Sequence, residues 1–269
     1  MKKLLKPTRV CLLFIFLTVL TQIGGLTYLF SLLIYNKLKW KSRFKKPAIF
    51  MATYLLFTFA IVPIIAPFFG REPIHHTKNI CPTNYMTVIL NRNYVRPTMN
   101  RLLSNTEKKL KGSGVQLHYL DANFPFINGF PLFPHLSHND GKKLDLSLVY
   151  ETKKGKMSNL KKSMSGYGDF SGPTENEEDK ISFCKKEGYF QYDYPKYVTF
   201  GKINQDLIFS EKGTRILINA VLKNKSLGKI FIEPHLKQRL NLTDSRVRYH
   251  GCTAVRHDDH IHIQLQTAK

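Results

Sequence analysis

The sequence predicts an α+β domain preceded by two apolar helices, each long enough to cross a bilayer. Three observations carry this. Residues 10–35 and 47–69 are apolar runs without a charge, each longer than the ~20 residues a spanning helix needs. The C-terminal stretch HDDHIHIQL alternates polar and apolar side chains, the period of a strand whose two faces differ. Between them, residues 210–222 repeat apolar side chains with helical spacing behind a capping serine.

In chain order, residues 1–9 are a tail, 10–35 a first span, 36–46 a basic loop, 47–69 a second span, 70–84 a linker and 85–269 the α+β domain. The apolar run at 10–35 exceeds the core of a cleaved signal peptide, which favours a span. The loop holds Lys37, Lys39, Lys41, Arg43, Lys45 and Lys46. Such clusters stay on the cytoplasmic side, so both chain ends are expected outside it. This describes a two-span membrane protein with its domain on the extracytoplasmic face. Net charge is +22, of which the first seventy residues hold +10, so the remainder is basic in its own right. A basic surface suits lipid headgroups or an anionic wall polymer. Nucleic acid is not expected, because no recognisable binding motif accompanies the charge.

Within the domain, Val115, Leu117 and Tyr119 alternate as a strand does. So do Leu144, Leu146 and Leu148, which leaves Asp145 on the opposite, less apolar face. Just upstream, Asn139-Asp140-Gly141 is turn-forming and can fold His138 back beside Asp145. Residues 151–180, rich in Lys, Ser, Gly and Glu, read as an exposed insertion or lid. The aromatics of Tyr189–Phe200 suit either a groove or a core. Ser210 caps a helix reaching Leu222 with Ile216, Leu217, Ala220 and Val221 on one stripe. In the last strand Ile261, Ile263 and Leu265 share one face while His260, His262 and Gln264 share the other. Cys81, Cys184 and Cys252 lie outside the spans and leave room for one bridge of open connectivity.

Two imidazoles and a carboxylate, His138, Asp145 and His262, are the donor set that zinc takes with a position left for water. A water bound there is acidified to a pKa near ~7. His260, beside His262 on the same strand face, is the candidate base, with His257 second. The alternatives are missing: there is no His-Glu-x-x-His, no Gly-x-Ser-x-Gly elbow, and no regular oxygen spacing for calcium.

His138-x6-Asp145 followed by His260-x-His262 resembles the zinc peptidases of the lysostaphin, D-Ala-D-Ala peptidase and hedgehog group. The string HDDHIHIQL is similar to the penicillin-insensitive murein endopeptidases in particular, and His135 fits their His-x-x-His opening. Gly228–Leu240 resembles the strand and short helix that precede the last motif. The resemblance implies a small antiparallel sheet with flanking helices, zinc on His138, Asp145 and His262, and His260 and His257 facing the substrate. It implies a murein endopeptidase-like metallopeptidase cutting peptide crosslinks of peptidoglycan. The alternatives are a non-catalytic zinc-binding module for wall or partner, and a D-alanyl dipeptidase or carboxypeptidase.

Overall fold

The computed structural model describes residues 2–39 and 42–267, so Lys41 of the basic loop lies outside the described residues. The chain forms two compact units.

The first unit holds the chain up to Ile74 together with Met86–Pro97 and Ala122–Gly141. Its helices are α1 (Lys2–Thr21), α2 (Gly24–Lys37) and α3 (Lys45–Phe69). Only α3 is long and apolar enough to cross a membrane, among the described residues and by length and composition. The expected first span at 10–35 is therefore corrected: two helices divide it. The break falls at Gln22, whose φ of 65° is left-handed and whose side-chain oxygen accepts from the amides of Phe126 at 2.8 Å and Ile127 at 3.4 Å. Next to it, a Cβ on Gly25 would stand 2.0 Å from Thr18 Oγ1 and 2.6 Å from Phe14 O. Helices α1 and α2 thus cross where only glycine lets the two backbones approach.

Helix α3 runs through a π turn at Phe57–Ile61 just before Pro63, a residue with no N–H for the ladder. It stops at Gly70, which takes a left-handed φ of 70° and donates its N–H to Pro67 O at 2.9 Å. Immediately after, the fully buried Arg71 donates to the carbonyls of Phe124 and Asn139 and to Asn128 Oδ1. Burial pulls its guanidinium down to about 10. Arg96 adds a bond from Nε to Asp140 O at 3.1 Å. Gly141 itself has the φ of 79° that the predicted turn requires. Two arginines therefore fix the backbone that follows His138.

The second unit holds His75–Tyr85, Thr98–Asp121 and Lys142–Lys269. Its main sheet is built from β1 (Ile80–Pro82), β2 (Leu117–Tyr119), β3 (Lys143–Ser147), β4 (Leu227–Phe231), β5 (Val247–Arg248) and β6 (His260–Leu265), in the order β5-β4-β6-β3-β2-β1. The four central strands pair antiparallel, as expected. Both edges pair parallel, so the sheet is mixed. Helices α4 (Pro97–Leu110), α5 (Lys180–Lys186), α6 (Glu211–Leu222) and α7 (Pro234–Arg239) accompany it. The α6 boundaries are those the sequence predicts, with Ser210 Oγ accepting from Gly213 N at 3.2 Å. Ile261, Ile263 and Leu265 are at most 4 % exposed, each contributing about 1.5–3 kcal/mol of burial.

Candidate metal centre

Strand β6 lies between β3 and β4, and its register sets the site. His262 stands directly opposite Asp145, and His260 opposite Ser147. Side chains at i and i+2 share a face, so one face of the sheet gathers His260, His262 and Asp145. That face is not open: His260, His262 and Asp145 are 1 %, 5 % and 1 % exposed. The polar face of the strand is an interior one, and its groups answer to one another.

Asp145 is the hub. His262 Nδ1 lies 2.9 Å from its Oδ1, while Tyr167 donates its hydroxyl to Oδ2 at 2.8 Å. His260 Nε2 stands 3.8 Å from that same Oδ2. The far nitrogen of His260, Nδ1, is 2.5 Å from Asp259 Oδ1. His257 completes the cluster, its ring centroid 4.8 Å from that of His260 and 5.8 Å from that of His262. Burial holds its pKa well below the usual value, and the imidazoles of His260 and His262 add to the shift. His257 is therefore neutral at physiological pH.

His135 and His138, in the first unit, have ring centroids 5.4 Å apart. His138 Nδ1 is 2.7 Å from Ala122 O. A carbonyl can only accept, so Nδ1 carries the proton and Nε2 the lone pair, the arrangement found in metal-binding histidines. His135 and His138 of the first unit and Asp145 of the second are residues of the types that could hold a metal ion. The predicted ligands thus divide, His138 in the first unit and Asp145 and His262 in the second. Within the second unit His262 lies directly against Asp145.

Sequence reasoning missed the residues that hold these groups in place. The stretch 151–180, expected as an exposed loop or lid, is corrected in part: Ser163, Gly166, Tyr167 and Gly168 are buried. Here the chain curls on itself, with Gly166 N donating to Ser163 Oγ at 3.0 Å and Ser163 Oγ to Tyr167 O at 2.6 Å. The curl delivers the Tyr167 hydroxyl to Asp145 and the Gly168 amide to Asp259 Oδ2, the latter at 2.6 Å. Gly168 has a φ of 78°, and a Cβ there would stand 2.4 Å from the backbone oxygen of Pro195. Gly168→Ala is expected to destabilise the protein by about 2–4 kcal/mol, combining strained backbone with an immovable neighbour; thermal denaturation checks it. Tyr167→Phe removes one oriented bond to the central carboxylate. The affinity for a metal ion held at that carboxylate should fall about 10–100-fold, the usual cost of losing a group that orients a ligand, as measured by competition with a chelating dye.

An outer network braces the turn before β6. Arg256 donates to Asp258 through Nε at 2.7 Å and to Asp193 through Nη1 at 3.0 Å, and its guanidinium stacks 3.8 Å from the centroid of Phe170. Glu233 accepts from the amide of His257 at 2.9 Å and from the Tyr192 hydroxyl. Burial raises its carboxyl to about 7. Cys184 of α5 is bonded to Cys252, which resolves the open connectivity and leaves Cys81 reduced. The aromatics of 189–200 divide: Tyr192 is wholly buried beside the disulfide, while Phe190, Tyr197 and Phe200 are more than 70 % exposed.

No protein-family model matches the chain, and no curated protein matches it significantly.

Proposed function

We propose that the protein is a membrane-anchored zinc metallopeptidase that hydrolyses peptide crosslinks of peptidoglycan. The observation that carries the proposal is the convergence of His262, His260 and Tyr167 on Asp145. Nitrogen and carboxylate donors without thiolate suit zinc. His138, Asp145 and His262 would hold the ion, with His135 as an additional site residue. When bound, zinc supplies Lewis acidity, acidifying a water and polarising a carbonyl.

The remaining work falls to this chain's own histidines. His260, with Nδ1 directed at Asp259, offers Nε2 on the Asp145 side, where it takes a proton and returns it to the leaving amine. Neutral His257 can donate an N–H to negative charge developing on the carbonyl oxygen. A purely structural metal would need neither. The Cys184–Cys252 bond supports a location outside the cytoplasm, where disulfides persist. Helix α3 would provide the anchor.

The test is direct. Full-length protein in detergent, incubated with crosslinked muropeptides, should release uncrosslinked products, stop on chelation and resume with zinc. Bound zinc with no cleavage of crosslinked or D-alanyl-terminated fragments would overturn the proposal and leave a metal-binding module.

A further inference from the structure

We propose that Asp259 is a positioning residue that holds His260 as the Nδ1–H tautomer, with the amide of Gly168 locking the carboxylate in place. The inference rests on the reading of His260 as the group that moves the proton, and it concerns how that histidine is aimed.

Asp259 is 1 % exposed, so its carboxylate answers to protein groups rather than to bulk water. Its two oxygens have separate tasks. Oδ1 faces His260 Nδ1 at 2.5 Å, and Oδ2 accepts from Gly168 N at 2.6 Å. The amide can only donate, so one face of the carboxylate is committed and the other must accept from the imidazole. Nδ1 is therefore the protonated nitrogen of neutral His260, and the lone pair sits on Nε2. Nε2 is the atom on the side of Asp145, at 3.8 Å from Oδ2. A proton acceptor is useful only when its lone pair faces the reacting atoms, and the wrong tautomer of an otherwise intact histidine costs about 10⁴ in turnover in a well-characterised hydrolase.

The lock depends on a backbone that other residues supply. Gly168 reaches Asp259 because of its left-handed φ of 78°. The adjoining Tyr167 ring packs edge-on against His260 at 5.1 Å between centroids while its hydroxyl holds Asp145. One short segment thus orients both the proposed base and the central carboxylate. Neither Tyr167, Gly168 nor Asp259 is itself a candidate ligand or base.

Asp259→Asn gives a sharp test because the amide side chain keeps the shape. Gly168 N–H would claim the asparagine oxygen, turning the NH2 group toward His260 Nδ1. That nitrogen must then accept, and the proton moves to Nε2. Full-length, zinc-loaded protein labelled with ¹⁵N-histidine reports the tautomer through ring ¹⁵N–¹H correlations, with His260 assigned by the peak lost in His260→Gln. We expect Nδ1–H in the wild type and Nε2–H in Asp259→Asn, with metal content unchanged and kcat on crosslinked muropeptides lowered about 10³–10⁴-fold. Wild-type His260 protonated at Nε2, a tautomer unmoved by Asp259→Asn, or metal lost from that variant would each overturn the proposal. The wild-type spectrum alone decides if Asp259→Asn does not fold. Failure of the wild type to cleave any muropeptide would refute the proposed function instead, and the tautomer would still decide the role of Asp259.

Discussion

Under the proposed function, Asp145→Ala is expected to abolish metal binding and peptide hydrolysis together. Asp145 is one of the proposed ligands; it accepts from Tyr167 and lies 2.9 Å from His262 Nδ1. Removing it takes away the only carboxylate of the proposed ligand set. Metal assistance is worth several kcal/mol of transition-state stabilisation, so hydrolysis should fall about 10³-fold or more. His260→Ala makes the contrast. Its side chain lies at the site without being one of the proposed ligands, so zinc should stay bound while hydrolysis falls about 10²–10⁴-fold, the typical contribution of general acid–base catalysis. Metal analysis and a muropeptide assay on the two variants separate the roles. Equal metal content in Asp145→Ala and the wild type would contradict the assignment.

Breaking the disulfide should have the largest effect on stability. Cys184 and Cys252 are 68 residues apart in sequence, and closing a loop of that length restricts the unfolded chain by about 4 kcal/mol in the chain-entropy model. The bond also anchors the segment that leads to His257 and Asp259, with Gln191 Nε2 donating to Cys252 O at 3.2 Å. For a unit of this size the Cys184→Ser/Cys252→Ser variant should melt roughly 10 °C lower. Reductant should reproduce that shift in the wild type and leave the variant unmoved. A variant that melts with the wild type would show that the surrounding packing, not the bond, holds this segment.

Much of the site was legible because strand periodicity is a local property. The alternation at residues 143–148 and 260–265 puts Asp145 and His262 on polar faces, and the register then sets them opposite each other. The Ser210 cap and the stripe behind it likewise define α6 from neighbours in sequence alone. What escaped was decided at long range. Gln22 looks like one polar residue in an apolar run, and nothing nearby shows that amides more than a hundred positions away claim its side chain and divide the expected span. Tyr167 lies in a Ser, Gly and Lys stretch with no period, where burial arises from a curl that closes against distant residues, among them Asp145 and Asp259. Asp259 was visible inside the histidine motif, but its role depends on an amide 91 positions distant. The parallel edges of the sheet rest on strands of two and three residues, too short to carry a pattern.

The most direct measurement is the metal content of the purified full-length protein by elemental mass spectrometry, wild type beside His138→Ala. The proposal predicts one zinc per chain in the wild type and its loss in the variant. A wild type that takes up no zinc from zinc-replete buffer, or a variant that holds as much as the wild type, would contradict it.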